Sequence, residues 1–394
     1  MDPAIRLLRD LVAINSVNPT LVPGAPGEAE IAGAIAAEMR RLGLDVETQQ
    51  VAPGRPNTIG VLEGRVAGST LMFCGHVDTV GVAGMTDPFT PVEKDGCLHG
   101  RGAQDMKGGV AAMIDAVRVI AEQGGLQSGR LILAAVVDEE HSSIGADAVA
   151  AEWSADGAVV TEPTDLEIAV GHKGFAWVEV EVHGKAAHGS RPDEGEDAIL
   201  RMGRVLKHLE ALDRDLQKRM PHPRLGTGSL HASFIEGGGE LSSYPDRSRL
   251  QLERRTLPAE EHSAALDEVL SILEGLRLED PSFRGIARHM FGRPGYELPA
   301  DHELPQTLAA SIRHVGGIAK FGGASFWTDA AVLGLAGIPS VLFGPGGAGL
   351  HSREEYVNVA DVLLCRDALV ELARRFCARP GGSSTRGSDV PNGD

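Results

Sequence analysis

The sequence predicts an α/β protein: a mostly parallel sheet flanked by helices, interrupted by an inserted two-layer α+β segment. Three observations carry this. Up to about residue 173, apolar strands alternate with helical stretches, the pattern of a largely parallel sheet. Near Phe175 the texture changes: "FAWVEVEVHG" alternates apolar and polar residues, as a strand with one wet face does, and the next elements run β-α-β-β-α-β. From Asp301 the first texture returns. The expected units are residues 1–173 with 292–379, and an inserted 174–291 between them. Residues 380–394 are Gly/Ser-rich and expected to be disordered.

The elements follow in order. "MDPAIRLLRDLVAINSVNPT" opens as an amphipathic helix, and "EAEIAGAIAAEMRRLGL" is a second helix with Gly43 near its end. "LDVETQQV" and "TIGVLEG" read as strands, and "LMFCGHVD" as a buried one. "GGVAAMIDAVRVIAEQG" is small or apolar all round, so it is a helix packed on a sheet. "RLILAAVVDEE" and "GAVVTEP" are buried strands that end in acids. In the insert, helices are expected at "DAILRMGRVLKHLEALD" and "EEHSAALDEVLSILEGL", and strands at "GSLHASFIEGG", "SRLQLERRTL" and "FRGIARHM". Helix "LPQTLAASIRHVG" and strand "IPSVLFGPG" resume the first unit.

Composition excludes several classes. The 394 residues are long for one core and favour two domains. With 42% hydrophobic and 23% charged residues the chain is of ordinary globular type. A net charge of −18, from 37 basic and 55 acidic residues, opposes binding to nucleic acid or an anionic membrane. Cys74, Cys97, Cys365 and Cys377 form no C-x-x-C pair, which argues against a thiolate zinc site or a disulfide framework. No stretch is apolar and long enough to span a membrane. The first residues lack the apolar centre of a secretory signal, so a cytoplasmic location is expected.

The candidate chemistry sits where strands stop. His76 and Asp78 end one strand, two positions apart and therefore on one face. Asp105 lies in the Gly-rich "GRGAQDMKGG", Glu139 and Glu140 end "LILAAVVDEE", Glu162 ends "GAVVTEP", and His351 follows "SVLFGPGG". Ligands of open α/β sheets bind outside the carboxyl ends of the strands, so these segments converge on one edge. A lone strand-end histidine is ordinarily a capped or solvated residue; the aligned set is not so simply explained. Imidazoles and carboxylates without thiolate suit zinc or a similar divalent ion. Five ligands exceed one tetrahedral catalytic site and fit two metals if one carboxylate bridges, a known hydrolytic arrangement. Asp78 would hold the His76 ring. One of the adjacent glutamates would face a metal, and the other would act as general base on a metal-held water.

The ordered motifs "GHVDTV", "GRGAQDMKGG", "VVDEEHSSIGA", "TEPT", "GKAAHGSRP" and "GPGGAGLHSREEYV" resemble the di-zinc amidohydrolase and exopeptidase family of acetylornithine deacetylase, succinyl-diaminopimelate desuccinylase, aminoacylase and glutamate carboxypeptidase. The resemblance runs to about residue 377. It implies that His76, Asp105 and Glu162 bind one metal and that Asp105, Glu140 and His351 bind the other, with Asp105 bridging. It implies two divalent ions per chain, zinc above all, with cobalt or manganese as alternatives. Glu139 would be the general base, His188 an oxyanion donor, and Arg255 the grip on a substrate carboxylate. The insert would be a lid that pairs two chains into a homodimer, and the Asp105–Met106 peptide would be cis. Ser242, where the family often has asparagine, and Glu253, where aspartate is common, depart from the pattern at positions of substrate contact.

Other residues weigh less. "GPGGAG" fits G-x-G-x-x-G, but no helical pattern opens after it, so it reads as a turn presenting His351. His141 reads as a loop neighbour of the glutamates, and His172 and Lys173 as solvated or hinge-packing residues. The expected activity is hydrolysis of the amide of an N-acyl amino acid by a metal-bound hydroxide, with a deacetylase-like lean from "DMKGG" and "TEPT". A carboxypeptidase or dipeptidase using the same site on a short peptide with a free carboxylate is the alternative. A non-catalytic metal-binding homologue is a third reading, opposed by the presence of Glu139.

Overall fold

The computed structural model describes residues 1–82, 84–261 and 263–380. Apart from Pro380, the tail expected to be disordered lies outside them. Helices α1 (Pro3–Ala13) and α2 (Ala29–Arg41) precede β1 (Asp45–Ala52), β2 (Arg55–Glu63) and β3 (Val66–His76). Two short strands, β4 (Val92–Lys94) and β5 (Cys97–His99), lead to a π-helical turn, Ala103–Lys107, that runs into α3 (Gly108–Glu122). Then come β6 (Ser128–Val136), α4 (Ile144–Glu152), β7 (Gly157–Val160) and β8 (Ile168–His172). β9 (Gly174–His183), α5 (Ala198–Lys218), β10 (Ser229–Gly237), β11 (Arg247–Thr256), α6 (Ala264–Glu279), β12 (Arg284–Arg293) and β13 (Tyr296–Glu297) follow. The last described elements are α7 (Glu303–His314), β14 (Phe321–Ala324), α8 (Ala330–Leu335), β15 (Ser340–Leu342), β16 (Gly347–Ala348), β17 (Tyr356–Asn358) and α9 (Val359–Cys377).

The chain forms two units. Among the described residues, one comprises Met1–Val170, Leu298–Phe321 and the stretch from Val332 to Pro380; the other comprises Gly171–Glu297 and Gly322–Ala331.

The first unit is built on a sheet of order β1-β2-β6-β3-β7-β15-β8. Its centre is parallel: β3 pairs in parallel with β6 and β7, and β7 with β15. β1, β2 and β8 join antiparallel at the flanks. The central strands are apolar throughout because both faces are covered; Leu71 to Cys74 and Leu131 to Val136 are buried. Helix α1 starts where Asp2 caps the Ala4 amide (2.8 Å) and Pro3 supplies the first helical φ. Its buried Ile5, Leu8, Leu11 and Val12 follow the helical period. Helix α3 packs closely: a Cβ on Gly109 would lie 1.9 Å from the Thr161 carbonyl oxygen, so only glycine fits. Helix α9 is not among the expected elements, although Val362, Cys365, Leu369, Leu372 and Phe376 bury one apolar stripe. A small antiparallel sheet, β16-β17-β5-β4, adds to this unit.

The second unit has an antiparallel sheet of order β10-β11-β9-β12. Val178, Val180 and Val182 of β9 pack with Met202, Val205 and Leu209 of α5 and Val269 and Leu273 of α6. The alternation read in "FAWVEVEVHG" is this burial: even positions meet the helices, odd ones face away.

Candidate metal centre

Because β6, β3, β7 and β15 run parallel, their carboxyl ends share one edge of the first unit. His76 is the last residue of β3 and is buried. β6 stops at Val136, and the chain then turns through Asp138 (φ 69°) before Glu139 and Glu140. Thus the two glutamates sit in a turn beyond the strand. Glu162 follows β7, and His351 (φ 57°) lies in the loop between β16 and β17. Asp105 lies in the π-helical turn after Gly102 (φ 79°), and the Asp105–Met106 peptide is cis.

Asp105 stands between the two imidazoles. Its Oδ1 is 3.0 Å from His76 Nε2, and its Oδ2 is 3.2 Å from His351 Nε2. Glu140 Oε2 lies 3.0 Å from His351 Nε2. On the other side, Glu139 Oε2 and Glu162 Oε1 are each 3.9 Å from His76 Nε2. The first unit therefore brings together all five expected ligands and Glu139. His188 and Arg255 belong to the second unit.

Asp78 supports this cluster in a way the i+2 spacing does not foretell. Its backbone carbonyl, at 3.0 Å, is the nearer partner of His76 Nδ1; its carboxylate Oδ1 is 3.6 Å away. β3 ends at His76, so the alternation of faces stops there. The carboxylate instead accepts from the amides of Glu139 (3.1 Å) and Glu140 (3.2 Å).

Four carboxylates crowd two imidazoles, and the titration of the groups reflects it. Burial alone would lower His76, but the Asp105 hydrogen bond and the charges of Glu162, Glu139 and Asp105 hold it well above the ordinary histidine range. Hydrogen bonds to Asp105 and Glu140 raise His351 to about 10. Burial and the charge of Asp105 raise Glu140. Such a buried anionic cluster demands cations. The donors fit divalent metal: His76 with Glu139 and Glu162, and His76 with Asp105 and Glu140, each offer atoms within 4.8 Å of one another. Glu140 Oε1 is buried with no hydrogen-bond partner among the described residues, an orphan that a ligated ion would satisfy. Oxygen and imidazole donors without thiolate suit zinc, cobalt or manganese.

Several residues that sequence reasoning missed frame the site. Glu355 is buried and accepts from the amides of Gly102 (3.0 Å), Gln104 (2.9 Å) and Asp105 (3.1 Å) and from Arg101 Nη1 (2.6 Å). Asn18 donates to Asp78 and Asp138. Arg55 pairs with Asp138 (2.8 Å) and with Glu28. Lys107 Nζ donates to the carbonyls of Leu11 (3.0 Å) and Ile14 (2.8 Å), and burial lowers it to about 7. The signals were faint: "NP" after "INSV" and the second glutamate of "REEYV".

The remaining candidates take their places. His141 donates its amide to the Asp138 carbonyl (3.3 Å) in the glutamate turn. "GPGGAG" leads into β16, with no helix; a Cβ on Gly344 would lie 2.3 Å from the Glu162 carbonyl oxygen. In the second unit, the Ser190 amide donates to His188 Nδ1 (3.2 Å), with Ser190 Oγ also at 2.8 Å. Nδ1 is thus an acceptor, which puts the proton of a neutral ring on Nε2. Arg255 Nε donates to Glu253 Oε1 (2.7 Å), Trp177 Nε1 to Glu253 Oε2 (2.9 Å), and the guanidinium lies 5.6 Å from the Phe175 ring centre. His172 is buried against Trp327 and Tyr296, and Lys173 Nζ donates to the Thr227 carbonyl (2.7 Å).

A carboxylate and imidazole cluster at the carboxyl edge of a mainly parallel sheet marks a hydrolase of the metal-dependent class. The chain belongs to peptidase family M20/M25/M40, whose profile matches residues 72–375. It is 31% identical over 390 residues to an acetylornithine deacetylase of Myxococcus xanthus, covering 95% of this chain and 98% of that one. It is 29% identical over 408 residues to the N-formyl-4-amino-5-aminomethyl-2-methylpyrimidine deformylase of Bacillus subtilis, covering 95% of each. Among solved structures, a tripeptidase from Staphylococcus aureus shares the fold with a TM-score of 0.80 at 21% identity, over 96% of this chain and 98% of that one. A dinuclear metal-binding peptidase of Bacillus subtilis does so at 0.72 and 16%, over 95% and 97%.

Proposed function

We propose that this hydrolase cleaves the amide bond of an N-acyl amino acid with two divalent metal ions per chain. The observation that carries the reading is Asp105, whose two oxygens face two different imidazoles, as a bridging carboxylate must. His76, Asp105 and Glu162 would hold one ion and Asp105, Glu140 and His351 the other. The ions would supply Lewis acidity and a water of lowered pKa.

The chain's own groups would do the rest. Glu139 takes a proton from the attacking water and returns it to the leaving nitrogen. It and Glu162 lie equally far from His76, so the choice of Glu139 as base follows the family resemblance. Asp78 fixes the amides of Glu139 and Glu140 and, through its carbonyl, the His76 ring. His188 would donate from Nε2 to the developing oxyanion, and Arg255 would bind a free carboxylate of the substrate. A deacylase reading is supported by relatives named for removal of acetyl and formyl groups. The fold neighbour named a tripeptidase keeps a peptidase activity as the second reading.

The homodimer through the second unit belongs to this proposal. β10 is an edge strand with exposed Phe234 and Ile235, an apolar edge of the kind that pairs with another copy. All four cysteines are free thiols, in keeping with a cytoplasmic location, and no helix among the described residues is long and apolar enough to cross a membrane.

Exhaustive chelation tests the reading: activity should vanish and return with zinc, cobalt or manganese, at a stoichiometry approaching two per chain. Acetylated, formylated and succinylated amino acids should be turned over ahead of dipeptides. Full activity after verified metal removal would end the proposal.

A further inference from the structure

Asn18 lies in the loop after α1, 60 positions ahead of Asp78 and 120 ahead of Asp138, and is fully buried with both. Its Nδ2 donates to Asp78 Oδ2 (2.8 Å) and to Asp138 Oδ1 (3.0 Å). An amide nitrogen carries two hydrogens, so one group serves both carboxylates. Its Oδ1 accepts from the Thr20 amide (2.9 Å). Its own amide donates to the Thr79 carbonyl (2.9 Å), while the Thr79 amide donates to the Ser16 carbonyl (3.0 Å). These backbone bonds lace the N-terminal loop to the residue just past Asp78 and leave the Asn18 side chain little freedom.

The two acids that it joins do different work. Asp78 receives the amides of Glu139 and Glu140 and contacts His76. Asp138, held at positive φ, makes the turn that delivers those glutamates: its carbonyl accepts from the Ser142 amide (3.1 Å) and from that of Ser143 (2.6 Å). Arg55 Nη1 pairs with Asp138 Oδ1 (2.8 Å), whereas Asp78 takes its side-chain donor from Asn18. A neutral donor is therefore the residue type that this point requires. Aspartate would set a third carboxylate between two others, and alanine would leave both short of a donor.

We propose that Asn18 is a positioning residue of the metal centre, its amide fixing Asp78 and Asp138 together so that the His76 ring and the Glu139–Glu140 turn keep one geometry. This rests on the two-metal reading above. Losing such an outer support typically costs about 10–100-fold in metal affinity or activity.

The test uses the full-length chain as wild type, Asn18→Asp and Asn18→Ala, with Asn18→Ser as the milder change should either fail to fold. Dissociation constants for Co²⁺ and Zn²⁺ are measured by competition with a chromophoric chelator, together with the visible Co²⁺ spectrum, melting of the metal-free protein, and kcat and KM at saturating metal. The expected result is metal binding weakened about 10–100-fold, a changed Co²⁺ spectrum, and a loss in kcat with KM little altered. Wild-type affinity and spectrum in a folded variant, with the effect confined to melting temperature, would overturn the proposal. A wild-type chain that binds no metal would instead remove the functional reading on which it rests.

Discussion

The backbone amide of Asp105 donates to the buried carboxylate of Glu355 at 3.1 Å, tying the residue between the two imidazoles to a side chain 250 positions away. The same carboxylate neutralises Arg101, which is itself buried. Removing it would strip the buried guanidinium of its counter-charge, leaving it the Ser352 carbonyl, and three amides of their acceptor. Glu355→Ala should cost about 3–5 kcal/mol, and Glu355→Gln, which keeps the shape, should cost less. Thermal melting of the metal-free proteins checks this; a melting temperature equal to wild type in Glu355→Ala would refute the clamp.

The adjacent glutamates should separate by phenotype. Glu139→Gln should lower turnover by about 10²–10⁴-fold with metal content unchanged. Glu140→Gln should lose metal, because its Oε2 faces His351. Metal analysis beside kinetics decides, and swapped phenotypes would reverse the assignment of base and ligand.

Arg255→Ala should weaken substrates with a free carboxylate far more than their amide analogues, since a guanidinium binds a carboxylate bidentately. Its Nε is already held by Glu253, which leaves the terminal nitrogens for the ligand. Equal loss on both substrate types would remove Arg255 from recognition.

His172 should make the second unit acid-sensitive. Burial lowers it to about 4 from an ordinary 6.5, while its Nδ1 donates to the Lys173 carbonyl. The unfolded chain takes up this proton near pH 6.5 and the folded chain only near 4. Stability from the neutral ring is thus complete above 6.5 and falls as pH drops through that window, by about 3 kcal/mol in all. Denaturant melts followed by tryptophan fluorescence at pH 7.5 and 4.5 should show a steep loss in wild type and a shallower one in His172→Leu. Parallel losses would refute it.

Much of the centre was legible because its chemistry sits at strand ends. His76, Asp105, Glu140, Glu162 and His351 each follow an apolar run or a glycine turn, and parallel strands gather such positions on one edge. The job of Asp78 was only partly legible: spacing put its carboxylate beside His76, but the strand ends at His76, and the carbonyl makes the shorter contact. Asn18 and Glu355 left only faint signals because their partners are far off in sequence, and a buried asparagine or glutamate leaves no periodic mark. The return of Gly322–Ala331 to the second unit likewise leaves no shift in composition.

The support that Lys107 draws from α1 bears on where this catalytic unit can be cut. The family profile begins at residue 72, and a fragment trimmed there keeps every candidate ligand. It discards the Leu11 and Ile14 carbonyls that seat the buried Lys107 ammonium, two residues past Asp105. It discards Arg55 and Asn18 as well. The span that the family profile matches is therefore shorter than the span whose residues support the candidate ligands. A transplantable version of this candidate centre should therefore begin at α1, which with its C-cap residue carries the carbonyls that seat Lys107, and not at residue 72.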